Sequence, residues 1–472
     1  MKIQTIFPKR IIDSAYIQNS KYLLKKTALQ PEITTDKCAF IKNGYIILDF
    51  GQEYYGEPHI ISSFIEDFKP IKIRVRYGES LSECCSSIGE HNATNDHSLR
   101  DFEIMLPSLS NLALPKSGFR FIRIDFLEKD RGVNLKAVAL QVIKDERKPI
   151  YIYQGKDELV KRIFETAKRT VDLCSLNGLV WDGIKRDELV WAGDLHPEAL
   201  ALMTLYGRSK ELEASIDFLR KGHPHPKYMN NFPTYSLWWI AVVADYFLND
   251  KNNEPLVKKQ MSYIQGLVEQ YDKVIKDDGD MNFPQYFVDW PTVGSKDELA
   301  GARAIAILAL NKAKTLQKAF NLPTNHTDSA LKKLNKVEIK VCEKKQVVGL
   351  KYMATGKISD EEYQLLIKGG AEGMSTFMSY YVLTAIASRD KNLAIRIMKE
   401  YYGAMIDLGA TTFFEDFDMA WVNNTARIDE FAKDGQNDLH RDFGKYCYEG
   451  YRHSLCHGWS AGVIKFIKEY CE

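Results

Sequence analysis

The spacing of apolar residues changes near Pro149, and that change limits what the chain can fold into. Before it, Ile71, Ile73, Val75 and Tyr77 alternate with polar residues, so all four share one face of a strand. The run 44–51 is short, apolar and closed by glycines; 119–126 is aromatic and β-branched, and 133–143 is similar but weaker. Short strands parted by turn residues predict an antiparallel β-sandwich over residues 1–148, with 80–100 as a long exposed loop. After Pro149 the steps become three and four. Leu159, Ile163, Ala167, Val171 and Cys174 form a helical stripe, with Asp157 and Glu158 suited to its first turn. Further helices are expected at about 195–206, 209–221, 235–249, 253–275, 298–320, 326–344, 359–368, 372–388, 390–406 and 454–470. An all-α region over 149–472, with short and long loops alternating, suits a toroid of helical hairpins or an irregular bundle. Periodicity does not separate the two.

Composition excludes several classes of function. A chain of 472 residues has room for two or three domains. Its 64 Lys and Arg balance 63 Asp and Glu, so no electrostatic ground exists for a nucleic-acid or anionic-membrane partner. No apolar run approaches a membrane span, and the first ten residues lack an export-type apolar core; a cytoplasmic location is expected. The eight cysteines fit no zinc spacing and are read as free thiols. Cys456, near His453 and His457, suits a small buried hydrophobe better than a nucleophile or ligand. His223-Pro224-His225 matches no metal motif, so neither metal nor cofactor is expected. There is no nucleophile elbow, phosphate-binding loop or dinucleotide fingerprint; Gly369, Gly370 and Gly373 lie between expected helices and read as a connection. The oligomeric state is open, a homodimer being one arrangement.

The stretch 181–198 fits neither period. It gathers Asp182, Asp187, Glu188 and Asp194 with Arg186, Trp181 and Trp191. Carboxylates accept hydroxyl hydrogen bonds and move protons, and indoles cover apolar sugar faces, so the loop suits a sugar site as well as it suits solvated surface. Three other long loops are expected. One, 222–235, runs into Trp238 and Trp239; 277–296 holds Asp289 and Trp290; 409–448 holds Glu415 and Trp421. All seven tryptophans fall between 181 and 459, in or beside these loops. Glycosidic hydrolysis needs a protonated carboxyl and an ionised partner. Asp187 or Glu188 could be the acid and Glu415 the partner, although spacing does not prove that loops so far apart meet.

Residues 182–194 resemble the signature of the bacterial α-L-rhamnosidases of glycoside hydrolase family 78, roughly Asp-Cys-Pro-x-Arg-Glu-x-Leu-Gly-Trp-x-Gly-Asp. Asp182, Arg186, Leu189, Trp191, Gly193 and Asp194 stand in register with it. The run Ala410-Thr411-Thr412-Phe413-Phe414-Glu415 is similar to the family's segment bearing the second catalytic carboxylate. Val288-Asp289-Trp290 resembles its Gly-Asp-Trp loop, and 454–460 its late segment with histidine. The resemblance runs in order through 149–472 and more loosely through the preceding β region.

The resemblance implies an (α/α)6 toroid and an inverting exo-acting hydrolase. Asp187 takes the acid position and Glu415 the base position, with Glu188 as the alternative acid. Asp182, Arg186, Trp191, Asp194, Asp289 and His457 become sugar-binding residues, and Trp290 with Trp239, or Trp238 beside it, walls the pocket. The implied partner is an oligosaccharide or glycoside. Two positions depart from the signature: Asp187 replaces Glu, and Gly183-Ile184 replaces Cys-Pro. The chain ends one helix past His457, so the family's C-terminal β-domain is expected to be absent and the substrate to be small and intracellular. Two other readings stay open. One is another (α/α)6 enzyme (an unsaturated-uronyl hydrolase, a lyase, or a phosphorylase using Lys185, Arg186 and Lys227); the other is a non-catalytic sugar-binding protein.

Overall fold

The computed structural model describes residues 2–185, 188–444 and 446–472. Two expected site residues, Arg186 and Asp187, lie outside the described residues.

The first part of the chain is β. Its strands are β1 (Ile3–Ile6), β2 (Arg10–Gln18), β3 (Ala39–Ile65), β4 (Ile71–Gly78), β5 (Asp101–Leu106), β6 (Asn111–Ala113), β7 (Ser117–Phe126) and β8 (Gly132–Ile143). Ile71, Ile73, Val75 and Tyr77 are all buried, as their alternation requires. The eight strands form one antiparallel sheet in the order β1-β8-β3-β7-β4-β5, with β2 and β6 also paired to β3. The expected run 44–51 is thus one section of the 27-residue β3. That strand alone pairs with four others, so no gap in the ladder separates two sheets. It shifts register between Asp49 and Tyr54, where Gly51 takes a φ of 87°. A left-handed residue there lets the strand change course without a Cβ clash.

The expected exposed loop at 80–100 is partly interior. Leu81–Cys85 is a short helix, and Glu79, Ser80, Glu83 and Arg100 are buried. Their polarity misled the reading because they satisfy one another. Arg100 Nη2 donates to the Glu83 carbonyl at 2.6 Å, and the Glu79 N–H donates to Glu83 Oε2 at 2.8 Å.

The second part is helical. Six helices touch in succession: Leu195–Tyr206, Pro233–Asn249, Glu298–Ala319, Lys345–Thr355, Ser379–Ala387 and Val463–Tyr470, with the last also touching the first. Several are buried nearly all round; in Pro233–Asn249 only three residues escape burial. Others, such as Lys210–Gly222, Glu254–Val274 and Lys391–Asp407, bury one face only.

Three expected helices have different limits. The helix beginning at Asn325 stops at Leu334, and a separate one follows at Lys345–Thr355. Between them Asp297 accepts the N–H groups of Cys342, Glu343 and Lys344, fixing that chain outside a helix. Ser379–Ala387 starts later than 372, after Gly369, Gly370 and Gly373 all adopt positive φ. Val463–Tyr470 starts well after 454, leaving 454–457 as the loop that carries His457.

Candidate active site

Residues 182–185 and 188–194 are held by the Asp182 side chain and by the late histidine segment. Asp182 Oδ1 accepts from the N–H groups of Gly183 and Leu189 at 2.8 and 3.0 Å. Gly183 forms an antiparallel bridge with His457, and the Gly458 N–H donates to the Asp182 carbonyl at 2.7 Å. At the far end of the stretch Asp194 opens Leu195–Tyr206 and accepts from the Tyr235 hydroxyl at 3.1 Å.

Glu415 reaches the same place from the opposite end of the helical region. Its N–H donates to the Ser454 carbonyl at 2.9 Å, and the Ser454 N–H returns a bond to Glu415 Oε2 at 3.0 Å. The Cys447 thiol donates to Glu415 Oε1 at 2.9 Å. His457 Nε2 stands 3.9 Å from both Glu415 Oε1 and Asp194 Oδ2, and so bridges the two segments. The next residue, Asp416, is also buried; burial, with the charge of Glu415 adding to it, raises its carboxyl from 3.8 to about 7.

Asp182, Asp194, Glu415 and His457 line one cavity of ≈ 180 Å³. Trp191, Phe232, Tyr235, Phe287 and Trp290 also line it, with Cys447, Tyr448 and Trp459. The rings support each other: Phe287 packs edge-on against Trp290 at 5.2 Å, and Trp459 stacks on Phe377 at 4.9 Å. Acids, one imidazole and the Cys447 thiol therefore face a space otherwise walled by aromatic side chains.

At the level of sequence the chain matches no family model and no curated protein. Solved structures do match. A rhamnosidase from Klebsiella oxytoca with rhamnose bound aligns over 100% of this chain and 96% of its own, at TM-score 0.76 and 19% identity. The chain has the α-L-rhamnosidase fold. The family 78 rhamnosidase of Bacillus sp. GL1 aligns over 90% of this chain and 46% of its own, at TM-score 0.69 and 16% identity. The α-L-rhamnosidase from Dictyoglumus thermophilum covers 99% and 51%, at 0.66 and 15%. The chain thus spans about half the length of these last two and nearly all of the first.

On this rhamnosidase fold the expected site residues separate into three groups. Asp182, Trp191, Asp194, Trp290, Glu415 and His457 meet at the cavity. Glu188 and Asp289 do not line it. Glu188 Oε2 accepts from the Tyr55 hydroxyl of β3 at 3.1 Å; burial raises its carboxyl, against the Tyr55 bond and the Lys116 charge. Asp289 accepts from Thr292 Oγ1 and Ser375 Oγ and so braces the loop that presents Trp290. Trp239 is not part of the cavity lining: it is fully buried, donates to the Ile216 carbonyl at 3.2 Å and meets Tyr263 edge-on. Trp238, the alternative, is equally buried and packs on His196 and Tyr381.

Phe232, Tyr235, Phe287, Cys447, Tyr448 and Trp459 were not singled out by sequence, although each lies in or beside an expected long loop. The histidines at 223 and 225 are structural, bonding to the carbonyls of Leu219 and Tyr263. Among the described residues Glu79, Glu83 and His440 come close enough to share a cation. Lys185 already fills that role, its Nζ lying 3.0 Å from Glu79 and 3.4 Å from Glu83. No helix among the described residues is long and apolar enough to cross a membrane.

Proposed function

We propose that the protein is an inverting, exo-acting α-L-rhamnosidase-like glycoside hydrolase. The observation carrying this reading is the cavity itself. Asp182, Asp194, Glu415 and His457, spread over 276 positions, converge on one aromatic-walled space in the rhamnosidase fold. The closed succession of six helices supports an (α/α)6 toroid with the cavity at one rim, preceded by a β-domain ending near residue 148.

In this reading Glu415 is the ionised base. Ser454 and Cys447 donate to its two oxygens and fix its direction towards the water it activates. Asp187 is assigned the acid role from its register in the signature; Glu188 is the weaker candidate, its carboxyl being tied to Tyr55 away from the cavity lining. Asp182, Asp194 and His457 bind the hydroxyls of a terminal sugar, while Trp191, Trp290 and Trp459 cover its apolar face and the methyl group of a 6-deoxysugar. Lys185 is committed to buried carboxylates, which leaves phosphorolysis without one of its candidate anion ligands.

The decisive experiment follows aryl α-L-rhamnoside cleavage by anomer-resolved NMR. Glu415→Gln and Asp187→Asn should each lose about 10²–10⁴-fold in kcat while remaining folded, and the first-formed sugar should have inverted configuration. Retention of configuration, or full activity in Glu415→Gln, would overturn the mechanism. Near-full activity in Asp187→Asn together with loss in Glu188→Gln would move the acid role to Glu188.

A further inference from the structure

Glu79 belongs to the β region, one residue beyond β4, yet it is fully buried and the partners of its carboxylate lie in the helical region. Its Oε1 accepts from Ser454 Oγ at 3.2 Å, and its Oε2 from the Leu455 N–H at 2.7 Å. The same Oε2 lies 3.0 Å from Lys185 Nζ. Ser454 accepts from the Glu415 N–H at its carbonyl and donates its own N–H to the Glu415 carboxylate, and Lys185 directly precedes Arg186 and Asp187. Lys185 Nζ also donates to the Tyr451 carbonyl at 2.8 Å, which joins its loop to the segment leading into Ser454. One carboxylate therefore joins the strip that leads to the proposed acid to the strip that is bonded to the proposed base.

We propose that Glu79 is a positioning residue, set in the β region, that clamps Lys185, on the strip leading to the proposed acid, to Ser454 and Leu455, on the strip bonded to the proposed base. This rests on the hydrolase reading for which two residues are catalytic. Burying an unpaired carboxylate is expensive, and only a complete set of donors makes the arrangement tolerable. Glu79 has such a set, and all three donors belong to the segments it joins. The neighbourhood is otherwise crowded with acid: Glu53 and Glu83 are also buried there, with His440 close to Glu83 and to Lys185. Burial raises the Glu79 carboxyl to about 7, with Lys185 opposing and Glu83 adding to the rise. A residue serving only to stabilise the fold would not need to tie these two segments in particular.

The test compares wild type, Glu79→Gln and Ser454→Ala. Glu79→Gln keeps the shape and removes the charge on Lys185's partner. Aryl α-L-rhamnoside kinetics should show kcat down by about 10²-fold, as expected for small misplacement of reacting groups, with KM little changed. The pH–rate profile should shift as well. Hydrogen–deuterium exchange should quicken together in peptides covering 182–185 and 451–457, while β3 and β8 keep their protection. Ser454→Ala removes one bond of the clamp and should give the same pattern in milder form, which secures the reading if Glu79→Gln fails to fold. Unchanged kcat and pH profile in a folded Glu79→Gln would overturn the proposal, and so would unchanged exchange in the two segments. A loss of kcat matched by general loss of protection would reduce Glu79 to a stabilising residue. If wild type cleaves no aryl glycoside, the hydrolase reading fails, and the exchange pattern still decides whether Glu79 clamps the segments.

Discussion

Asp416 sits beside Glu415 in the chain and serves the protein differently. Its N–H donates to His453 Nε2 at 2.9 Å, and its carboxyl accepts from the Tyr446 N–H, so it secures the strip that brings Cys447 to Glu415. With a folded pKa of about 7 against an ordinary 3.8, the folded state holds this proton more tightly than the unfolded chain does. Asp416 therefore contributes less stability as pH rises through that window, from about pH 4 to about pH 7. Asp416→Asn, which never ionises, should show a flatter decline over the same range in urea-unfolding midpoints. An unchanged slope would refute the burial argument. Residues like Asp416 were invisible in the sequence, because an acid next to a catalytic candidate looks like another candidate. Asp182, Asp194, Glu415 and His457 were legible through the likeness of their segments to a known signature, and all four line the cavity. Trp239 was misread: on a helix buried nearly all round, tryptophan content does not reveal which ring faces a cavity.

Among the elements, β7 packs backbone to backbone against the loop at 182–185. A Cβ on Gly118 would lie 2.5 Å from the Ile184 carbonyl oxygen, so glycine is needed for the approach. Gly118→Ala must push backbone away from backbone, and overpacking of this kind costs about 1–3 kcal/mol. The expected result is a lower urea midpoint and lower kcat from one substitution, since the displaced loop carries Asp182. A neutral outcome in both would show that the loop yields freely. Strand identities were readable where alternation was strict, as in β4. The length of β3 was not, because turn residues such as Gly44 and Gly51 mark strand ends in most sequences and here sit inside one strand. Helix starts failed where side chains far away in sequence take the backbone donors, as Asp297 does for residues 342–344.

At the scale of the whole molecule, the two regions share buried charge. Arg120 of β7 donates to both oxygens of Asp49 at 2.9 and 3.0 Å and to Asp429 Oδ2 at 3.0 Å, and Arg10 joins the same two acids. Removing one partner of a buried pair typically costs about 3–5 kcal/mol, because the remaining charge is left uncompensated. After Arg120→Met both acids still face Arg10, so the unfolding free energy should fall by less than that, and calorimetry should show wild type melting in one transition. Two well-separated wild-type peaks would contradict this coupling. The overall order, β then α, was legible from the change of period at Pro149, but the junction was not. Its ion pairs join positions hundreds of residues apart, and no local pattern marks them.

The clamp at Glu79 and the Arg120 cluster also bear on how such a molecule can vary over evolutionary time. Where two halves meet through exposed polar surface, one can be exchanged for a foreign equivalent with little penalty. Here an incoming β region would have to supply an acid for Lys185 and a guanidinium for Asp429. Recombination at this seam would succeed only between parents that already share both, so the two halves should be inherited together.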